Sequence, residues 1–271
     1  MKTGLPLLDL QLGGGLPAGI TEVYGPSGTG RTCLGLSALR EHQGPRLLML
    51  STIPDPVFIR AAGADCDIVL PDNIGVAVHV LTTACNAFPD ILVVVDSLTH
   101  LECDLEIAQT LGTTRRRQLP YPELKQLAKV AERTGARVVL INELRQNIGA
   151  VRGTHSSLAH VCGIICRAQI KTKQIKYETA FGGLKQVLCS AHIEKSVAKF
   201  VPEDIEYTWR PDTGIDRGVE LLRALVYLHH AKRSGPWWIF NTCRLGPGLE
   251  LAAKAVNSRY EEFACLLNRL S

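Results

Sequence analysis

Aromatic residues are scarce in this 271-residue chain, at 6%, and methionine occurs only twice. No apolar run reaches the ~18 residues of a membrane span. Residues Met1–Gly19 contain no basic stretch followed by an apolar one, so neither a signal peptide nor a membrane protein is expected. Cysteine follows no framework. There are nine, an odd number, which suits a reducing cytoplasm better than a disulfide-stapled fold. No repeat or low-complexity tract interrupts the chain. With 21% charged and 46% hydrophobic residues, wholesale disorder is excluded, and a large domain with a small appendage is expected.

Acidic residues are thin in one long stretch. From Gln109 to Gln186 there are fourteen Lys or Arg, four Glu and no Asp, a net of +10, which leaves −6 for the rest of a chain whose total is +4. One basic region on an otherwise acidic protein points to a polyanionic partner.

What is present is organised around Ile20–Leu34. A β-branched and aromatic run leads to Gly25, Gly28 and Gly30, then to Thr32 and an apolar helical pattern. Strand, glycine loop and helix in this order form a phosphate cradle, where backbone N–H groups and a helix N-terminus converge on an anion. The spacing from Gly25 to Thr32 fits G-x-x-x-x-G-K-[ST] except that Arg31 stands where the motif has Lys. The nucleotide-binding set is therefore Gly25, Pro26, Ser27, Gly28, Thr29, Gly30, Arg31, Thr32 and Cys33. Some sixty residues on, Asp90–Asp96 reads as a buried strand that delivers a carboxylate at its C-terminal end. Asp96, with Thr32, is the candidate partner of Mg²⁺, Asp96 through water.

Further along, helical patterns cover Cys33–Gln43, Pro56–Gly63, Ile74–Phe88 and Pro122–Thr134. Apolar strands cover Arg46–Ser51, Asp67–Pro71 and Arg137–Asn142, with Cys162–Lys171 and Gly183–Glu194 as later strands. Ala108–Leu119 and Gly149–Ser157 read as loops. From Trp209 the texture changes to a helix at Gly218–His230, the strand Trp237–Phe240, a turn at Gly246–Gly248 and one closing helix. The expectation is an α/β fold with a mostly parallel central sheet in residues 1–208, and a small α/β domain in 209–271.

This order of motifs resembles the RecA recombinase family over nearly the whole chain. Thr3–Asp9 with Gly14–Gly19 is similar to that family's lead-in to the glycine loop, and Val93–Ser97 to its second phosphate-site strand. Asp55–Phe58 resembles its adenine-contacting segment, with Phe58 stacking on the base. Leu140–Gly149 resembles the strand that senses the γ-phosphate and opens the second DNA-binding loop. Gly235–Trp238 and Leu245–Gly248 resemble the bacterial-type C-terminal domain. The resemblance implies a RecA-like P-loop core that takes ATP and Mg²⁺. It also implies single-stranded DNA on Arg115, Arg116, Arg117, Arg145 and Arg152, and a filament of this chain or another RecA-like subunit, with Lys195 at the interface.

The departures gather at the chemistry. Arg31 replaces the phosphate-binding Lys and keeps charge but not geometry. Counting back four residues from Asp55 to the family's catalytic Glu gives Ser51. Glu143 stands where the family has its sensing Gln, and a carboxylate there repels a phosphate unless protonated or paired. The family's N-terminal docking helix and strand have no counterpart before Thr3, and the second loop is shortened. Ser51 and Glu143 read as losses of function. Glu143 is also the one candidate for a catalytic base acting from another side. The leading expectation is a DNA repair and recombination protein with weak or absent ATP hydrolysis. Its rivals are a non-catalytic RecA paralogue that scaffolds or modulates a recombinase filament, and a P-loop ATPase without a DNA role.

Overall fold

The structure is a computed structural model. It describes residues 1–26, 28–51, 59, 63, 65–97, 101, 121–146, 154–156, 164–173, 187–197, 204–210 and 213–270. The expected helix at Pro56–Gly63 and loop at Ala108–Leu119 fall almost wholly outside them.

The centre of the molecule is a sheet with β1 (Gly19–Gly25) in its middle. To one side lie β5 (Arg137–Gln146), β4 (Leu92–Asp96), β2 (Arg46–Leu50) and β3 (Asp67–Val69), all parallel to it. On the other side β7 (Ile164–Lys173) is also parallel to β1. The sheet then turns antiparallel through β8 (Val187–Ser196), β9 (Ile205–Arg210) and β10 (Gly214–Ile215). The expected mostly parallel α/β sheet is therefore present, with an antiparallel extension.

The parallel strands are apolar on both faces because helices cover both. Successive side chains alternate between two cores. Val23, Leu48, Leu50, Leu92, Val94, Val139 and Ile141 pack on one side with α1 (Pro6–Gln11) and α2 (Arg31–Glu41). Ile20, Leu47, Met49, Val93, Val95, Val138 and Leu140 pack on the other with α3 (Ile74–Ala87) and α4 (Tyr121–Thr134). A period of two along each strand thus builds both layers at once. Asn73 caps α3 by accepting from the Val76 N–H at 2.8 Å, which supplies one of the partners that a helix start lacks. Gly135, at φ +76°, follows the end of α4 in the left-handed conformation common past a helix C-terminus.

A third core belongs to the C-terminal segment. It joins α5 (Arg217–Tyr227), α6 (Gly248–Asn257) and α7 (Tyr260–Leu270) to an antiparallel sheet of β11 (Ala231–Ser234), β12 (Trp237–Phe240) and β13 (Cys243–Pro247). Phe263, 1% exposed, meets Phe240 edge-on at 5.0 Å. Asp216 caps α5 through the N–H groups of Gly218 and Val219.

Three expectations need correcting. The single closing helix is two, α6 and α7, parted at Ser258–Arg259. Gly246 and Pro247 end β13, and Gly248 already begins α6, so no free turn stands there. Within the loop expected at Gly149–Ser157, Thr154–Ser156 forms β6, paired antiparallel with β5. As for the division at 208/209, β9 runs through it and β10 stays in the main sheet. We propose placing the boundary near Asp216, where the third core begins. Among the described residues, no helix is long and apolar enough to cross a membrane.

Candidate nucleotide-binding site

The glycine loop joins the C-terminal end of β1 to the first turn of α2, as its spacing predicts. Gly28 and Gly30 adopt φ +74° and +79°, a left-handed backbone that a side chain disfavours. Thr29 braces the loop by donating its hydroxyl hydrogen to the Pro26 carbonyl at 2.9 Å. Ser27 lies outside the described residues. Cys33, on the first turn of α2, is buried, and that burial pushes its thiol well above the ordinary range.

The parallel register aligns the ends of neighbouring strands with this loop. Gly25 pairs with Glu143 on β5, and Asp96 at the end of β4 pairs with Ile141. Two contacts result. Thr32 donates its hydroxyl hydrogen to Asp96 Oδ2 at 2.5 Å. A hydroxyl and a carboxylate side by side at a strand end form the oxygen donor set that Mg²⁺ takes with a nucleotide phosphate, so Thr32 and Asp96 fit that ion. When bound, MgATP would supply the phosphoryl group, and these two side chains would orient the metal.

The second contact concerns Arg31. Its side chain does not project over the loop. It folds onto β5, donates to the Asn142 carbonyl oxygen, and lies 3.2 Å from Glu143 Oε1. Arg31 is 7% exposed. The carboxylate that sequence reading placed against a phosphate is thus paired with the residue that replaced the phosphate-binding Lys. Beneath them, Asn142 donates its amide to Glu22 Oε1 at 2.9 Å, and both side chains are fully buried.

Ser51, at the end of β2, accepts from the Ser97 N–H at 3.2 Å. It sits beside Asp96, whose carbonyl oxygen accepts from the Ser51 N–H at 3.0 Å. Lys195 on β8 donates to the Ile164 carbonyl oxygen at 2.6 Å within its own chain. Arg145 lies on β5, opposite His155 of β6. Asp55, Phe58, Arg115, Arg116, Arg117 and Arg152 lie outside the described residues.

Sequence reading missed the roof of the loop. Cys189 on β8 donates its thiol hydrogen to the Thr29 carbonyl at 2.9 Å, and burial lifts its pKa to about 11. Trp209 on β9 packs against Gly30, where a Cβ would come within 2.5 Å of the indole Nε1. A lone Trp and a lone Cys, each on an unremarkable strand, carry no motif. Only the antiparallel extension brings them over the loop.

Comparison with known proteins bears on the fold and the family. The model of the RecA N-terminal domain matches residues 1–164. The RecA protein of Cutibacterium acnes is 27% identical over 94% of this chain and 77% of its own length. That of Synechococcus elongatus is 28% identical over 92% and 73%. The chloroplastic DNA repair protein RecA homologue 1 of Arabidopsis thaliana is 27% identical over 93% and 61%. Among solved structures, the RadB recombinase matches with a TM-score of 0.59 and 17% identity, over 78% of this chain and 97% of that one, a likeness of fold. With its glycine loop, its parallel sheet and a family model matched over more than half its length, this chain belongs to the RecA family.

Proposed function

We propose that this protein is a RecA-like DNA repair and recombination protein of the cytoplasm. It binds ATP with Mg²⁺ and single-stranded DNA, and it hydrolyses ATP slowly or not at all. Membership of the RecA family supports the recombination and repair role and nucleotide binding. The reading of weak hydrolysis is carried by one observation: the guanidinium of Arg31 is committed to Asn142 and Glu143. Transition-state stabilisation of a transferring phosphoryl group depends on a cation aimed where charge develops. Here that cation is already neutralised. Ser51 at the end of β2 supports the same reading, because a hydroxyl there cannot take a proton from an attacking water as a carboxylate would.

DNA is assigned to the basic segment Gln109–Gln186, through Arg115, Arg116, Arg117, Arg145 and Arg152. Neither expected loop contains a stacking aromatic, so backbone phosphate contacts dominate and binding weakens steeply with salt. Lys195 is the proposed contact with a neighbouring RecA-like subunit.

The same paired Arg31 also supports a second reading, a non-catalytic RecA paralogue that scaffolds a recombinase filament. Nucleotide binding and hydrolysis, measured with and without single-stranded DNA, separate the two. Binding with little turnover supports the first. Absence of nucleotide binding selects the scaffold. DNA-stimulated turnover at ordinary recombinase rates overturns weak hydrolysis.

A further inference from the structure

Arg31 is the only cationic side chain in the loop Gly25–Thr32. Its charge is offset by a residue 112 positions away, because the β1–β5 register sets Glu143 beside Gly25. Glu143 is partly open, with 37% of its side chain exposed, whereas the Arg31 side chain keeps only 8%. The ion pair therefore stands at the rim of the loop, with the guanidinium inside and the carboxylate facing out.

We infer that the Arg31–Glu143 pair fixes how many phosphates the site accepts, and that it takes a nucleoside diphosphate at least as tightly as a triphosphate. This rests on the nucleotide site described above. Two kinds of group hold phosphates in such a loop. Backbone N–H groups and the helix N-terminus cradle the inner phosphates, and the basic side chain reaches the outer ones. The first kind is intact, since Gly28, Gly30 and the start of α2 keep their conformations. The second is occupied within the protein.

A third phosphate adds negative charge at the end where Arg31 would reach. It can draw the guanidinium off β5, which breaks the pair and sets the Glu143 carboxylate next to an anion. Otherwise it sits against a neutral pair. Breaking a hydrogen-bonded charge pair is costly and like charges in contact repel, so the first route penalises the outer phosphate, the second denies it a cation, and neither touches the inner two. Discrimination thus comes from a repulsive group as well as from a withdrawn attractive one. Glu143 is here a specificity-determining residue.

The test is calorimetric titration of the full chain with MgADP and with the Mg²⁺ complex of a non-hydrolysable ATP analogue. Wild type is compared with Glu143→Gln and Glu143→Ala, and thermal melts confirm folding. The expected result is wild-type affinity for ADP equal to or above that for the analogue. Both Glu143 variants should then shift the ratio toward the triphosphate by about tenfold. The Ala variant removes the carboxylate without adding a donor, so the same direction from it assigns the effect to charge. A wild type that binds the analogue more than about tenfold tighter than ADP overturns the inference, as does a ratio that neither variant moves. Binding with an unchanged ratio sinks the inference alone. If neither nucleotide binds any variant, the nucleotide-site reading falls with it.

Discussion

The thiol of Cys189 hydrogen-bonds the carbonyl of Thr29 across 2.9 Å, so the antiparallel part of the sheet holds the glycine loop from above. Cys189→Ala removes that donor and leaves a small void, at a cost of about 1 kcal/mol. Amide hydrogen exchange at Gly28 and Gly30 should quicken in Cys189→Ala and stay near wild type in Cys189→Ser, which still donates. Equal exchange in all three proteins would show that the bond does not hold the loop.

Gly30 faces a double obstacle to substitution. Its φ is +79°, and an added Cβ would lie 2.5 Å from Trp209 Nε1 and 2.6 Å from Cδ1. Gly30→Ala should cost about 1–3 kcal/mol in urea unfolding. Adding Trp209→Ala removes the clash with the indole but neither the 3.2 Å approach to Cys189 Sγ nor the left-handed backbone, so the double variant should show a favourable coupling between the two sites.

Two buried carboxylates make stability depend on pH in an unusual direction. Burial raises Asp9 to about 7, against the pull of the Thr3 N–H, which donates to Oδ1 at 2.8 Å. Burial likewise raises Glu220 to about 7, against Arg223 and the bonds from Thr208. Between the usual carboxylate range and pH 7 the folded state holds protons that the unfolded chain has released. Stability from these groups therefore falls as pH rises through that window and levels off above it. Urea midpoints at pH 5 and pH 8 should differ less in Asp9→Asn plus Glu220→Gln than in wild type.

On the proposed reading of weak hydrolysis, rebuilding the outer end of the site should raise turnover. Ser51 accepts from the Ser97 N–H, and its own N–H donates to the Asp96 carbonyl at 3.0 Å, so Ser51→Glu sets a carboxylate next to Asp96. Combined with Arg31→Lys, it should raise phosphate release at least about tenfold. Steady-state release with saturating single-stranded DNA is the measurement, and no increase would argue that the barrier lies elsewhere.

Phe263 anchors the third core against Phe240. Phe263→Ala should cost about 3–5 kcal/mol. If the C-terminal segment is a separate folding unit, the loss will appear as an early transition in tryptophan emission from Trp237 and Trp238, ahead of the main one.

How far the sequence spoke for the structure depended on distance along the chain. Strand, loop and helix at Ile20–Leu34 were legible because glycine spacing and apolar periodicity are local. So were the continuous apolar runs of β2, β4 and β5, which mark strands covered on both faces. The fate of Arg31 was not, because its partner is chosen by the pairing of Gly25 with Glu143, and a strand pattern does not state its register. Glu143 was read as unfavourable unless paired, and the structure supplies the pair. Trp209 and Cys189 stayed hidden for the same reason, as did β6, whose three residues lack any strand signature. The closing helix was read as unbroken because nothing in Asn257–Arg259 is a strong breaker; the chain leaves α6 there without Gly or Pro.

The packing of Trp209 on Gly30 also makes the protein its own sensor. Indole emission follows the polarity and quenching around the ring, and this ring touches the loop itself, beside the thiol of Cys189. With Trp237 and Trp238 replaced by Phe, a single indole would remain, excited selectively over the tyrosines at the red edge of its absorption. Its signal would follow loop movement in real time, without a label.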